Sequence, residues 1–170
     1  IRNRTKVRQI FRVFKPDIVF HAAAHKHVPF MERDVDEAIS VNVFGTRNLI
    51  QAAAHFHVGY FVQISTDKAV KPSSVMGCSK RLAELLVQRI SETCDSTHFF
   101  TVRFGNVLGS RGSVVPLFEK QIRQGGPITV THPDMTRYFM SIPEAVRLVL
   151  HSTALGKNGS LCILDMGKPV

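Results

Sequence analysis

The stretch from Tyr60 to Ile90 sets the tightest limits on what this chain can fold into. Tyr60 to Ile64 is a short apolar run that reads as a buried strand, and Arg81 to Ile90 carries leucines and a valine at helical spacing. The polar segment between them, Ser65 to Lys80, therefore sits at the end of a strand and ahead of a helix. In an open parallel α/β sheet that edge binds ligands, because strand ends and helix starts leave a crevice with free backbone groups. Within it Thr66, Asp67 and Lys68 place a hydroxyl, a carboxyl and an amine side by side, and Lys80 returns a second amine from the first turns of the helix. Such a set suits acid/base chemistry.

The flanking chain keeps an α/β rhythm. Val7, Ile10, Phe11 and Phe14 fall on one helical stripe that Lys15-Pro16-Asp17 breaks before the apolar run Ile18 to His21. Asp36 to His57 reads as one long buried helix, on which Asn42 and Thr46 are expected to make structural hydrogen bonds to a neighbouring strand. His98 to Arg103 is a further strand, and Val114 to Gln124 a helix stopped by Gly125-Gly126-Pro127. Residues 128–131 and 136–140 are short β candidates around a turn, with Arg137 exposed on the second. Ile142 to Thr153 is helical, with Ser141 as N-cap and Pro143 and Glu144 in its first turn. Leu161 to Asp165 is the last strand. Arg103 and Arg111 bring guanidiniums whose planar forks suit a diphosphate.

At 170 residues with 44% hydrophobic content the chain can bury one real core. Its net charge of +9 invites a nucleic-acid partner. The cations are spread over helical faces with no aromatic stacking pattern or zinc-finger spacing, so no nucleic acid is expected. Cys78, Cys94 and Cys162 form no CxxC pair and are expected as reduced thiols. His21, His25 and His27 lack a helical frame and a partner carboxylate or Cys nearby, so no metal is expected. No apolar run reaches the roughly 18 residues of a membrane helix.

Ser-Thr-Asp-Lys-Ala-Val at 65–70 and Val-Met-Gly-Cys-Ser-Lys at 75–80 resemble the active-site region of extended short-chain dehydrogenase/reductases. Within that superfamily they most resemble the nucleotide-sugar dehydratases of capsule, O-antigen and glycan biosynthesis, typified by UDP-N-acetylglucosamine 4,6-dehydratase. The superfamily's Tyr-x-x-x-Lys is here Met76-x-x-x-Lys80, and Met in that place resembles the large, membrane-anchored branch. The resemblance implies an α/β, NAD(P)-binding Rossmann-like, doubly wound parallel sheet without its first βαβ unit, since no Gly-x-Gly-x-x-Gly occurs in the 170 residues. Residues 1–110 would be a partial cofactor domain, and 111–170 part of a substrate lobe with a returning helix and strand. The phosphate loop and membrane helices would lie upstream, with a cytoplasmic catalytic domain and a possible homo-oligomer.

The same resemblance implies NAD as cofactor and a UDP-N-acetylhexosamine as substrate. Ala22, Ala23, Ala24, Ser65, Lys80 and Phe104 would adjoin the cofactor. His25, Lys26, Asn106, Arg111, Ser113, Val114 and Arg137 would face the nucleotide sugar. Thr66, Asp67, Lys68, Met76 and Lys80 would form the catalytic group, with Asp67 as acid and Lys68 as base. The implied cycle oxidises carbon 4, which acidifies the carbon 5 proton, eliminates water across carbons 5 and 6, and returns the hydride to carbon 6. Met76 cannot accept a proton, so Asp67 is expected to take the one from the carbon 4 hydroxyl. A 4-epimerase or reductase of the same superfamily, or a non-catalytic dinucleotide-binding or interaction module, is the alternative.

Overall fold

The computed structural model describes residues 1–110, 112–130 and 132–170. Four strands, β1 (Ile18–His21), β2 (Tyr60–Thr66), β3 (His98–Phe104) and β6 (Leu161–Ile163), form a parallel sheet in the order β1-β2-β3-β6. Parallel neighbours require crossovers, and helices supply them. Helices α1 (Arg4–Phe14), α4 (Thr46–His55) and α5 (Val75–Ser91) cover one face. There Val7, Phe11, Ile50 and Val87 pack on Phe61 and Phe99. On the other face Ala145 and Val149 of α7 (Ile142–Leu155) pack with Val62, Phe100, Val102 and Leu164. Successive residues of β2 therefore enter opposite cores, which is the doubly wound arrangement. Phe61, Phe99 and Phe100 are wholly buried, and each such side chain contributes about 1.5–3 kcal/mol.

A second, two-stranded parallel sheet pairs β4 (Asn106–Val107) with β5 (Phe139–Met140), and α6 (Val114–Arg123) lies between them in sequence. Helix α7 opens with Ser141 and Glu144 in a reciprocal capping box and has Pro in its first turn. Among the described residues no helix is long and apolar enough to cross a membrane.

Four expectations change. On α1 only Val7 and Phe11 are buried, while Ile10 and Phe14 are exposed, so the stripe packs along half its width. The helix expected over 36–57 is segmented into α3 (Val35–Ala38), a π-helical stretch (Ile39–Gly45) and α4, after a short α2 (Val28–Arg33). The widened turn is where the Thr46 hydroxyl donates to the carbonyl of Asn42, a local competition that loosens helical bonding. Residues 128–130 make no strand, and of 136–140 only Phe139 and Met140 pair, because β4 offers just two partner residues. Finally, α5 starts at Val75, where the Ser74 hydroxyl accepts from the Gly77 amide at 3.1 Å.

Across the face covered by α4 and α5, aligned residues change character along the strands. The row Val19, Phe61 and Phe99 is apolar, the row His21, Gln63 and Thr101 is polar, and the next row pairs Ser65 with Arg103. Polarity rises toward the strand ends, where the site lies.

Candidate active site

A cavity of about 490 Å³ opens at the carboxyl ends of β1, β2 and β3. Ala22, Ala24, His25, Lys26, Ser65, Thr66, Lys68, Met76, Lys80, Phe104, Asn106, Ser113, Val114 and Arg137 all line it. Residues from five stretches of sequence thus converge on one space. Ala23 and Asp67 are not on its wall, and Arg111 lies outside the described residues. His27, Ser110, Gly112 and Met135 also line it without having been singled out as contacts.

The turn after β2 is built around Asp67. Its Oδ1 accepts from the Thr66 hydroxyl at 2.9 Å and from Lys68 Nζ at 2.9 Å. Lys68 Nζ also reaches Asn106 Oδ1 at 3.4 Å, which ties this turn to β4. The side chains of Asp67 and Lys68 are each 36% exposed, so the pair is wet on one side.

Lys80 is a different kind of amine. It is 7% exposed and donates to the Ile64 carbonyl at 2.6 Å. Burial lowers its pKa from 10.5 to about 8, against the opposing pull of Glu84. Burial thus weakens the hold of Lys80 on its proton.

Met76, 3% exposed, packs with Met31 and Ala38 while lining the cavity. It presents an apolar, proton-free surface. The segment after β1 is held by Asn42, whose amide accepts from the His25 N–H at 2.8 Å and donates to the His25 carbonyl at 3.0 Å and to Ser79 Oγ at 2.9 Å. Asn42 thus bonds to a loop and a helix, whereas Thr46 meets strand β1 through His21 Nε2 at 2.8 Å. The His25 ring contacts Glu37 at 3.2 Å, and Lys26 Nζ donates to Ser110 Oγ at 3.2 Å.

Arg103 does not face the cavity. Its guanidinium is buried and forks onto Glu84, with Nε to Oε1 at 2.8 Å and Nη2 to Oε2 at 2.5 Å. Its expected use on a diphosphate is excluded by this pairing, and its partner, 19 positions away, is not visible in the local pattern. The Ser65 hydroxyl likewise gives its proton to Glu84, at 2.5 Å, while the residue lines the cavity. Arg137 is exposed and lies in irregular chain, where its backbone exchanges hydrogen bonds with Val170 at 2.8 and 2.9 Å.

The donors present fit a nicotinamide dinucleotide and a nucleotide sugar. Ala22 and Ala24, with no side chain beyond a methyl, line the cavity together with Lys80. Ser113 Oγ, at the N-cap of α6, is buried without a hydrogen-bond partner among the described residues while Ser113 lines the cavity. An oxygen-rich ligand would satisfy that hydroxyl. No group of three or more His, Cys, Asp or Glu side chains able to hold a metal occurs among the described residues.

A family described as "Polysaccharide biosynthesis protein" matches residues 1–170. The capsular polysaccharide biosynthesis protein CapD of Staphylococcus aureus is 58% identical over all of this chain, which spans 28% of that protein. A UDP-glucose 4-epimerase of Rickettsia canadensis is 46% identical over 86% of the chain and 44% of its own length. Among solved structures, Pen from Bacillus thuringiensis superposes with a TM-score of 0.91 at 40% identity, covering 99% of this chain and 52% of Pen. DesIV from Streptomyces venezuelae, a dTDP-glucose 4,6-dehydratase solved with NAD, shares the fold with a TM-score of 0.91 at 22% identity, over 99% of this chain and 57% of its own. The chain spans about half or less of the curated relatives it matches.

Proposed function

This chain belongs to the polysaccharide biosynthesis protein family, and on that premise we propose that it carries the catalytic face of a nucleotide-sugar 4,6-dehydratase acting on UDP-N-acetylglucosamine with NAD+. The observation that carries the reading is that Thr66, Lys68, Met76, Lys80 and Asn106 line one cavity, with Asp67, off its wall, bonded to Thr66 and Lys68. A hydroxyl, a carboxylate and two amines stand where a tyrosine-dependent enzyme would need a phenol, and Met76 offers none.

Ala22, Ala23 and Ala24 lie beside the cofactor's adenosine and diphosphate, Ser65 and Phe104 adjoin the cofactor, and Lys80 orients its nicotinamide ribose. His25, Lys26, Asn106, Ser113, Val114 and Arg137, with Arg111, face the nucleotide sugar. Bound NAD+ supplies the hydride acceptor at carbon 4 and the hydride donor at carbon 6. Asp67, which is off the cavity wall, accepts the proton of the carbon 4 hydroxyl through water, and once it is protonated the Thr66 hydroxyl, released from Asp67 Oδ1, donates to the resulting carbonyl oxygen. Lys68 removes the carbon 5 proton, which the adjacent ketone has acidified, and for this it enters the cycle as the neutral amine, its ammonium proton having passed to solvent before substrate covers the pair. Asp67 passes its proton to the departing carbon 6 hydroxyl, so water leaves, and Lys68 later returns its proton to carbon 5. Substrate seated over Asp67 and Lys68 must displace water from their exposed side, because proton exchange between neighbouring opposite charges needs a dry site.

The 4-epimerase reading draws on the identity to the Rickettsia canadensis enzyme. One experiment separates the two. The whole protein is incubated with UDP-N-acetylglucosamine and NAD+, and the product is weighed by mass spectrometry. Loss of one water without net NADH supports the dehydratase, and an unchanged mass with inverted configuration at carbon 4 overturns it. An Asp67→Asn protein that oxidises carbon 4 at the wild-type rate would remove Asp67 from its role.

A further inference from the structure

The cavity's chemistry depends on two pieces of chain that share no covalent rigidity: the Thr66–Asp67–Lys68 turn after β2 and Lys80 on α5. One buried carboxylate is bonded to the residue that precedes the turn and is carried on the helix of Lys80. Glu84 stands one helical turn after Lys80 on the same side of α5 and is 2% exposed. Its Oε1 accepts from Ser65 Oγ at 2.5 Å and from Arg103 Nε at 2.8 Å, and its Oε2 from Arg103 Nη2 at 2.5 Å and Arg81 Nη1 at 3.0 Å. Arg103 Nη2 also lies 3.5 Å from the carbonyl of Ala69, at the far end of the turn. The carboxylate is thus bonded to the residue before Thr66, to β3 and to its own helix, and through Arg103 to the residue after Lys68.

We propose that Glu84 is a positioning residue, which with Arg103 and Ser65 fixes the Thr66–Asp67–Lys68 turn relative to Lys80. The role deepens the dehydratase reading and rests on it for the chemistry being positioned. A buried ion pair is a poor source of stability, since desolvation consumes most of the attraction and an apolar pair of the same volume often serves as well. What a bidentate carboxylate–guanidinium fork does supply is fixed distance and angle. Burial pushes the Glu84 carboxyl up, but hydrogen bonds from Arg103, Ser65 and Arg81 outweigh it and hold its pKa below the ordinary value. Glu84 therefore stays an anion and keeps all four bonds. The charged and titratable groups around Lys80 are Glu84 and Arg81 on α5, Arg103 on β3, His21 on β1, and Asp67 and Lys68 in the turn. Of these, Glu84 opposes the loss of the Lys80 proton. Removing its charge changes the amine as well as the geometry.

The test uses the whole protein and the double variant Glu84→Gln/Arg103→Met, which removes both members of the buried fork together, alongside Arg103→Lys, which keeps a cation without the fork. Competitive acetylation with acetic anhydride across pH, read by peptide mass spectrometry, gives the midpoint at which Lys80 becomes reactive, expected near 8 in the wild type. Melting temperature, kcat and KM for the sugar nucleotide are measured on the same preparations. In the double variant the midpoint is expected below that of the wild type, with kcat down by roughly tenfold or more and KM little changed, since small misplacements at a reacting centre are costly. Arg103→Lys is expected to lose kcat with the Lys80 midpoint retained. A double variant with wild-type midpoint and kcat, whatever its melting temperature, overturns the proposal and leaves Glu84–Arg103 a packing device. Wild-type protein that removes no water from the sugar would sink the dehydratase reading, while the Lys80 midpoint still decides whether Glu84 acts on that amine.

Discussion

Gly77 turns its bare Cα toward the carbonyl of Lys68, so close that a Cβ there would stand 2.5 Å from that oxygen and 3.2 Å from Pro72 Cβ. The first turn of α5 thereby rests against the turn that carries Asp67 and Lys68. Gly77→Ala must displace backbone, because the clash is with a carbonyl and not with a flexible side-chain end. The expected cost is about 1–3 kcal/mol of stability, together with a loss of turnover larger than that destabilisation explains. Thermal melts and steady-state kinetics on one preparation check it: a Gly77→Ala protein matching wild-type kcat would show that the contact does not set the position of Lys68.

His21 gives the fold an acid-sensitive point. It is 3% exposed, and the Thr46 hydroxyl spends its single proton on the Asn42 carbonyl, so His21 Nε2 is the donor in their 2.8 Å contact. Nδ1 is then an acceptor, buried without a partner among the described residues. A second proton at Nδ1 would have nowhere to point. Burial, with the charge of Lys80 adding to it, lowers the pKa from 6.5 to about 3. A folded pKa below the unfolded one means that this stability is complete above pH 6.5 and is lost as pH falls from 6.5 toward 3. By pH 5 the loss is about 2 kcal/mol. Urea unfolding of wild type and His21→Gln at pH 7 and pH 5 measures it: Gln keeps the donor to Thr46 but cannot titrate, so its stability is expected to fall less by that amount.

What can be read before folding divides along physical lines. Ile18 to His21 and the strands at 60 and 98 are plain because a short apolar run with turn formers beside it has few other uses. That Thr66, Lys68 and Lys80 reach one cavity is legible for a related reason: polar side chains around the end of a buried strand must emerge there. The π-helical stretch at 39–45 is not, since a hydroxyl four residues after a carbonyl, as in Thr46 and Asn42, occurs in many regular helices and does not by itself announce a widened turn. Arg103 misleads on the same ground. An arginine near glycines and serines suits phosphate, and only the arrival of Glu84 from α5 turns it inward. Glu84 itself does leave a trace, four residues after Lys80 on the same helical side.

Met76 should be chemically passive. Its thioether lines the cavity while packing with Met31 and Ala38, and nothing in the proposed proton path passes through it. Met76→Leu keeps the volume and removes the sulfur, so stability should change by less than about 1.5 kcal/mol and kcat only within a few-fold. Kinetics and calorimetry on that variant decide the matter. A drop of kcat comparable to that of Asp67→Asn would mean that the sulfur itself takes part.

Asn42 offers the cleanest way to loosen the substrate side without touching the catalytic turn. It is 1% exposed and clamps both the N–H and the carbonyl of His25, the residue that leads into Lys26 at the cavity wall. Asn42→Ala leaves both backbone groups without these bonds, at about 1–3 kcal/mol for each that water does not reach. Ser79 Oγ loses a donor but keeps its own bond to the Met76 carbonyl at 2.7 Å, so the start of α5 should hold. The expected signature is therefore a raised KM for the sugar nucleotide with kcat less affected, because Asp67, Lys68 and Lys80 keep their partners. Saturation kinetics on the whole protein reads the split directly, and a variant that lost kcat with KM unchanged would place the influence of Asn42 on α5 instead of on His25 and Lys26.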